Sequence, residues 1–313
     1  MKVLVTGSNG FVGGHLCSTL ESAGIEVVRA VRNPQPGATA VGPINGKTGW
    51  SAALTGVEVV VHLAARVHIL KDASTDPLDE FRKVNVAGTL NLARQAAQAG
   101  VSRFIFISSI AVHGLTSGNH PFSARDIPAP HDSYGLSKLE AEQGLKEISA
   151  ETGLQCVVVR PPLVYGPGVG ANFLRLMKLA ESGIPLPLGA VHNLRSPVFV
   201  RNLCDLILQC LTHPAAAGQT FLVSDDGDVS TPELLRMLSA AMNKKVRLFP
   251  MSVSILRLAG RLTGHEGEMT RLCGSLQVDI SRTKEVLGWA PPFTLEQGIR
   301  ETVRDYMSAE RKS

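Results

Sequence analysis

Lys2-Val3-Leu4-Val5-Thr6-Gly7-Ser8-Asn9-Gly10-Phe11-Val12-Gly13 stands at the start of the chain and decides how it folds. Lys2–Thr6 reads as a short β run, and residues 11–23 as a helix from the spacing of their apolar side chains. Three glycines mark the junction. Gly7 permits the tight turn out of the strand, Gly10 lets the backbone approach a pyrophosphate, and Gly13 lets the helix pack close to the sheet. Three glycines alone carry little weight. Here the strand before them and the helix after them are both present, which is the context such a loop needs.

The same rhythm continues downstream. Glu26–Val31, 57–63, 103–108 and Gln155–Arg160 read as strands, with helices expected over 79–100 and Ser133–Thr152. Short strands alternating with helices predict an α/β fold, a Rossmann doubly wound parallel sheet. From Pro161 onward proline and glycine become dense: Pro161, Pro162, Gly166, Pro167, Gly168, Gly170. The expected organisation is a Rossmann domain over 1–161 that binds NAD(P). Residues 162–313 would form mainly a smaller mixed α/β substrate domain, some of whose segments return to the sheet. A ligand would sit at the seam.

Composition removes other classes. The 313 residues are 44% hydrophobic and 19% charged, which excludes a disordered or fibrous chain. Thirty-one basic against 27 acidic residues leave +4, short of a nucleic-acid footprint. The late basic residues Lys244, Lys245, Arg247, Arg257 and Arg261 have no aromatics interleaved for stacking, so no nucleic-acid partner is expected. Five scattered cysteines without a C-x-x-C pair argue against a disulfide framework or a zinc site, and no metal is expected. No apolar stretch of about 20 residues occurs, so no membrane span is expected. The strand that begins at residue 2 leaves no room for a signal peptide, and a cytoplasmic location is expected. Residues 251–259 read as an amphipathic helix.

The exit of the second strand bears on the cofactor. An acidic residue there would bond the adenosine ribose hydroxyls of NAD. The chain has Val31-Arg32-Asn33-Pro34 instead. A guanidinium fork at Arg32, with Arg29 as a second candidate, suits a 2′-phosphate. NADP(H) is therefore favoured, with NAD(H) as the other option.

Tyr134-Gly135-Leu136-Ser137-Lys138 places a phenol and an ammonium four residues apart, on one face of a helix. A neighbouring ammonium favours the phenolate, so Tyr134 is expected to titrate below the ordinary tyrosine value and to act as acid and base. Ser109, just past the fourth strand, is placed to bond a substrate oxygen. Ser109, Tyr134 and Lys138 are the candidate catalytic set.

With these motifs the chain resembles the extended short-chain dehydrogenase/reductases, in their NAD-dependent epimerase/dehydratase branch, over essentially its whole length. The resemblance also rests on His62-Leu63-Ala64-Ala65, Asn85-Val86-Ala87-Gly88-Thr89, Arg160-Pro161-Pro162-Leu163-Val164-Tyr165-Gly166-Pro167-Gly168, Arg195-Ser196-Pro197 and Leu287-Gly288-Trp289. It implies that Gly7, Asn9, Gly10, Phe11, Val12, Gly13, Arg32, Leu63, Ala64, Ala65, Pro161 and Leu163 hold the cofactor. Lys138 would hold the nicotinamide ribose as well as tune Tyr134. Asn172, Arg195 and Arg271 would hold the substrate's diphosphate, beside Ser109 and Tyr134 at the sugar.

The resemblance also narrows the reaction. Dehydratases of this family carry Thr-Asp-Glu where this chain has Ser109-Ile110-Ala111. Ile110 and Ala111 transfer no protons, so dehydration is disfavoured. The expected activity is reduction of the C4 ketone of a UDP-4-keto-6-deoxy-N-acetylhexosamine by NADPH, for surface polysaccharide synthesis. The alternative is a UDP-hexose 4-epimerase; a second is a non-catalytic protein that senses the cofactor or binds partners. The helices at 79–100 and Ser133–Thr152 resemble those that pair across a homodimer in relatives.

Overall fold

The computed structural model describes residues 1–67 and 76–310. Seven parallel strands form the central sheet: β1 (Lys2–Thr6), β2 (Glu26–Val31), β3 (Thr39–Ala40), β4 (Val59–His62), β5 (Arg103–Ile107), β6 (Gln155–Arg160) and, after two short strands outside this sheet, β9 (Thr220–Leu222). Their order is β3-β2-β1-β4-β5-β6-β9. The order reverses between β1 and β4. Crossovers on either side diverge there and leave a crevice at the carboxyl ends of the strands. β7 (Val164–Tyr165) and β8 (Val198–Phe199) pair separately.

The helices are α1 (Phe11–Ser22), α2 (Pro77–Phe81), α3 (Thr89–Gln98), α4 (Ser133–Thr152), α5 (Ala171–Glu181), α6 (Val200–Thr212), α7 (Thr231–Ala241), α8 (Val253–Leu262), α9 (Glu266–Cys273), α10 (Ser281–Leu287) and α11 (Leu295–Glu310). Alternation along the strands sorts the core in two. Val3, Val5, Val59, Val61, Ile105, Ile107, Val157 and Val159 face Leu16 and Leu20 of α1 and Leu203 and Ile207 of α6. Leu4, Val60, Phe104, Phe106 and Cys156 face Leu92 and Ala96 of α3 and Leu145 and Ile148 of α4. Both faces are covered, which is why these strands read as nearly unbroken apolar runs.

Several expected boundaries move, for identifiable reasons. β4 spans four residues rather than 57–63. The Val57 amide is taken by a turn to Leu54, and the amides of Leu63 and Ala64 turn to the Thr6 hydroxyl instead of a neighbouring strand. The helix expected over 79–100 starts at Pro77, capped by Asp76, and between α2 and α3 it widens into a π-helical stretch, Arg82–Gly88. The amphipathic helix of 251–259 is displaced to α8, because the Ser252 hydroxyl caps it and Pro250 precedes it. Past residue 162 the chain returns to the sheet twice: β9 forms the edge beyond β6, and α6 covers one face against α1. All five cysteines are free and buried. Among the described residues, no helix is long and apolar enough to cross a membrane, and no group of His, Cys, Asp or Glu is placed to hold a metal ion.

Candidate active site

The glycine loop leaves β1 with Gly7 at φ +66°, a conformation that glycine adopts without steric cost. A methyl on Gly13 would lie 2.0 Å from the Gly7 carbonyl oxygen, and one on Gly7 would lie 2.9 Å from the Ala64 amide. The loop is thus pressed against both the first turn of α1 and the exit of β4. Gly10 caps α1 without any side-chain hydrogen bond. The first amides of the helix therefore have no capping side chain, and a helix start of that kind favours an anion. This is the cradle that a dinucleotide's pyrophosphate fits. Ser8 donates to the Ala30 carbonyl at 3.1 Å and ties the loop to β2.

A buried relay braces the loop from behind. The Thr6 hydroxyl lies 2.7 Å from His62 Nδ1 and accepts the amides of Leu63 and Ala64. His62 Nε2 reaches the Thr89 hydroxyl at 3.0 Å. Burial, aided by Lys138, pulls the His62 pKa down to about 3, so the ring stays neutral. Leu63, Ala64 and Ala65 follow it as a half-buried run at the crevice.

At the exit of β2, Arg32 is exposed. Arg29 is committed elsewhere: its guanidinium donates to both carboxylate oxygens of Glu21 on α1, at 2.8 and 2.9 Å. Arg29 is therefore withdrawn as a second phosphate ligand, and Arg32 stands alone there.

Tyr134, Ser109 and Lys138 meet where α4 begins. Asp132 caps the helix by accepting the Gly135 amide at 2.7 Å. Gly135 is needed for the approach, since a methyl there would sit 2.5 Å from the Ala111 carbonyl oxygen at the β5 exit. The Tyr134 hydroxyl is hydrogen-bonded to Ser109, and its ring packs edge-on to Phe81. Lys138 Nζ donates to the Ile107 carbonyl at 2.8 Å and stands 4.5 Å over the Phe106 ring.

The titration differs from the expectation. Burial pushes Tyr134 up to about 12, against a smaller downward pull from the Ser109 hydrogen bond. Burial draws Lys138 down to about 7, opposed by Glu142. The ammonium is turned toward a carbonyl and a ring face, so it does not favour the phenolate as spacing alone suggests.

Asn85 is a residue to which sequence reasoning assigned no role. It sits in the π-helical stretch, accepts the Arg66 amide at 2.8 Å and donates to the Ser137 hydroxyl at 3.0 Å, between Tyr134 and Lys138 in sequence. The extra residue per turn places it; π turns of this kind recur at functional sites. The Pro161 carbonyl accepts the Ile110 amide at 3.0 Å, next to Ser109 in sequence.

Asn172, Arg195 and Arg271 come together, with Leu163, around one cavity of about 210 Å³. Its other walls are largely aliphatic, including Leu176, Leu234 and Leu276. Arg195 is held in place by the Arg271 and Gly274 carbonyls at the end of α9, at 2.6 and 3.2 Å. Burial, then the neighbouring Arg271, lowers its pKa from the ordinary arginine value. Glu268 in the same wall is taken by Arg175 and His265. Two adjacent guanidiniums without a carboxylate partner among the described residues suit phosphate oxygens. Ser109, Tyr134 and Lys138 do not line this cavity; Leu163, two residues beyond Pro161, links the two regions along the chain.

The sequence and the fold match those of known proteins. Over 99% of the chain, it is 47% identical to a UDP-glucose 4-epimerase of Vibrio cholerae, 97% of which is covered. It is 28% identical to an N-acetyl-alpha-D-glucosaminyl-diphospho-ditrans,octacis-undecaprenol 4-epimerase of Escherichia coli O157:H7, over 97% of this chain and 94% of that one. Its fold matches the crystal structure of a UDP-glucuronic acid 4-epimerase from Bacillus cereus in complex with NAD, with a TM-score of 0.79 at 21% identity, covering 99% of each chain. Residues 3–224 match the family described as NAD dependent epimerase/dehydratase. A match over most of the length, added to full-length kinship with a nucleotide-sugar epimerase, places the chain in the NAD-dependent epimerase/dehydratase family.

Proposed function

We propose that this protein inverts the C4 configuration of a UDP-hexose. The observation that carries the reading is its full-length likeness, at 47% identity, to the Vibrio cholerae UDP-glucose 4-epimerase. A bound nicotinamide dinucleotide supplies the acceptor and donor of hydride. Tyr134 takes the proton from the C4 hydroxyl and returns it, with Ser109 bonded to the same oxygen; this base role requires the phenol to be drawn below its cofactor-free value by the positive nicotinamide of a bound cofactor. Lys138 holds the ribose of the nicotinamide. Asn172, Arg195 and Arg271 grip the diphosphate, and Gly7, Asn9, Gly10, Phe11, Val12 and Gly13 carry the pyrophosphate of the cofactor, with Leu63, Ala64, Ala65, Pro161 and Leu163 along its path. Ile110 and Ala111 beside Ser109 bear no group that moves a proton, which disfavours elimination of water. In this reading residues 1–161 chiefly serve the cofactor and 162–313 the sugar nucleotide, and the protein works as a homodimer paired through α3 and α4.

A second reading has its own observation. Val31 and Arg32 replace the acidic residue at the β2 exit and suit NADP(H), which fits a 4-ketosugar reductase whose cofactor exchanges at each turnover. The test separates the two. Purified protein is offered UDP-glucose, UDP-N-acetylglucosamine and UDP-2-acetamido-2,6-dideoxy-4-hexulose, the last with NADPH and with NADH. The epimerase interconverts a C4 pair with no net change in nicotinamide absorbance. Stoichiometric oxidation by the ketosugar, faster with NADPH than with NADH and without interconversion, establishes the reductase and supports Arg32 as the phosphate ligand.

A further inference from the structure

Three successive residues at the β5 exit each engage one side chain of α4. The Ile107 carbonyl accepts Lys138 Nζ, Ser108 Oγ donates to Glu142 Oε1, and Ser109 bonds Tyr134. On the helix those partners are Tyr134, Lys138 and Glu142, at i, i+4 and i+8, so they share one face. The outer two contacts belong to the reactive set. The middle one carries no chemistry of its own and is the most heavily braced.

Glu142 is gripped from a second side by Arg160 at the end of β6. Arg160 Nε donates to Oε1 at 3.0 Å and Nη2 to Oε2 at 2.5 Å. Arg160 Nη1 in turn donates to His113 Nε2 at 2.8 Å, and His113 stacks on Phe122 with centroids 5.1 Å apart. Ser108, Glu142, Arg160 and His113 are all more than nine-tenths buried. Burial lowers the His113 pKa to about 4, which keeps the ring neutral and able to accept from Arg160. The carboxylate thus joins the β5 exit, α4 and β6, with the turn after β5 reached through His113.

A buried ion pair gains little net stability over an apolar pair of the same volume. Stability therefore does not account for a carboxylate and a guanidinium placed directly behind the reactive residues. Fixed geometry does: a displacement of about 1 Å at a reacting group costs up to about 100-fold in rate.

We propose that Glu142, clamped by Arg160, is a positioning residue. By holding Ser108 it sets the backbone that presents the Ile107 carbonyl to Lys138 and the Ser109 hydroxyl to Tyr134. The proposal rests on Ser109, Tyr134 and Lys138 being the reactive set, so its test needs a readout that does not depend on turnover. The chain has only three tyrosines. Tyr165 bonds Asp225 and Tyr306 bonds Glu181, while Tyr134 bonds Ser109. Ring-carbon NMR of ¹³C-tyrosine protein therefore reports the Ser109–Tyr134 geometry directly, with two internal controls.

Ser108→Ala is the first variant, because it leaves the Glu142–Arg160 pair whole. It should lower kcat by about tenfold with KM changed less than about twofold, a fraction of the full misplacement cost. The Tyr134 resonance should move while those of Tyr165 and Tyr306 stay. Ser108→Thr, which keeps the hydroxyl, should restore both readouts. Glu142→Gln should repeat the Ser108→Ala pattern and add a fall in melting temperature, since it leaves the Arg160 charge uncompensated. The proposal is overturned if Ser108→Ala leaves kcat and the Tyr134 resonance at wild-type values, or if all three resonances move together with the loss of rate. If wild-type protein turns over no UDP-sugar, the functional reading fails, and the Tyr134 resonance alone still decides the positioning role.

Discussion

Two groups with displaced titrations stand one turn apart at the head of α4: Tyr134 at about 12 and Lys138 at about 7. The structure predicts that Lys138, and not the phenol, titrates near neutrality in cofactor-free protein. Ultraviolet titration should place the Tyr134 transition near pH 12, seen as the step missing from Tyr134→Phe. A step near pH 7 contradicts it. Lys138 has a consequence for stability as well. Its folded value lies below the ordinary lysine value of 10.5, so between about 7 and 10.5 the unfolded chain binds the extra proton and stability rises with pH. Lys138→Met should flatten that rise in urea melts of cofactor-free protein. Tyr134→Phe should lower kcat by about 100-fold or more, as loss of a general acid and base does, with the fold intact by circular dichroism. At this scale the sequence names candidate residues but not their environment. Spacing alone points to Tyr134 and Lys138. The direction of their shifts depends on Phe81, Phe106 and the Ile107 carbonyl, brought in by tertiary packing that no local pattern announces. The same holds for Arg29, whose partner Glu21 lies across the strand–helix unit, and for Asn85, which a π turn delivers.

At the scale of elements, the glycine loop makes the sharpest claim. Gly13→Ala drives a methyl to 2.0 Å from the Gly7 carbonyl and must push the loop off α1. That variant should lose retained cofactor on gel filtration. Gly14→Ala, whose methyl meets nothing within 4 Å, should keep it. Equal retention by the two rules out the loop as the pyrophosphate cradle. Behind the loop, Thr6→Val removes the hydroxyl shared by His62, Leu63 and Ala64. It should cost about 1–3 kcal/mol in urea unfolding, the penalty for buried groups left unbonded. β1, β2 and β6 were legible to the residue because each carries its own apolar run, and α4 because a cap at Asp132 and a stop at Gly153, φ +77°, bracket it. β3, β7, β8 and β9 were not. They have two or three residues each, and they are strands only because a neighbouring edge lies beside them.

At the scale of the whole molecule, the second half of the chain supplies what the sheet lacks. His15 of α1 bonds the Pro167 carbonyl at 2.8 Å, and Arg195, Arg271 and Asn172 gather around the cavity beyond Leu163. That three residues carried over from a family resemblance line one cavity was not readable from their spacing, since α9 and the 195 segment meet only in the folded chain. Arg195→Ala should raise KM for the UDP-sugar by about tenfold or more, the worth of a charge-assisted contact to phosphate, with kcat changed far less. A KM unchanged by that substitution puts the diphosphate elsewhere. Light scattering should give twice the protomer's 33.3 kDa; a mass of one protomer removes the dimer. In the proposed epimerisation hydride leaves C4 and returns to the same carbon. The direct measurement is to incubate the protein with UDP-galactose deuterated at C4 and read the UDP-glucose formed by NMR. The UDP-glucose formed should keep deuterium at C4. Deuterium found in released nicotinamide, with no epimer formed, contradicts it.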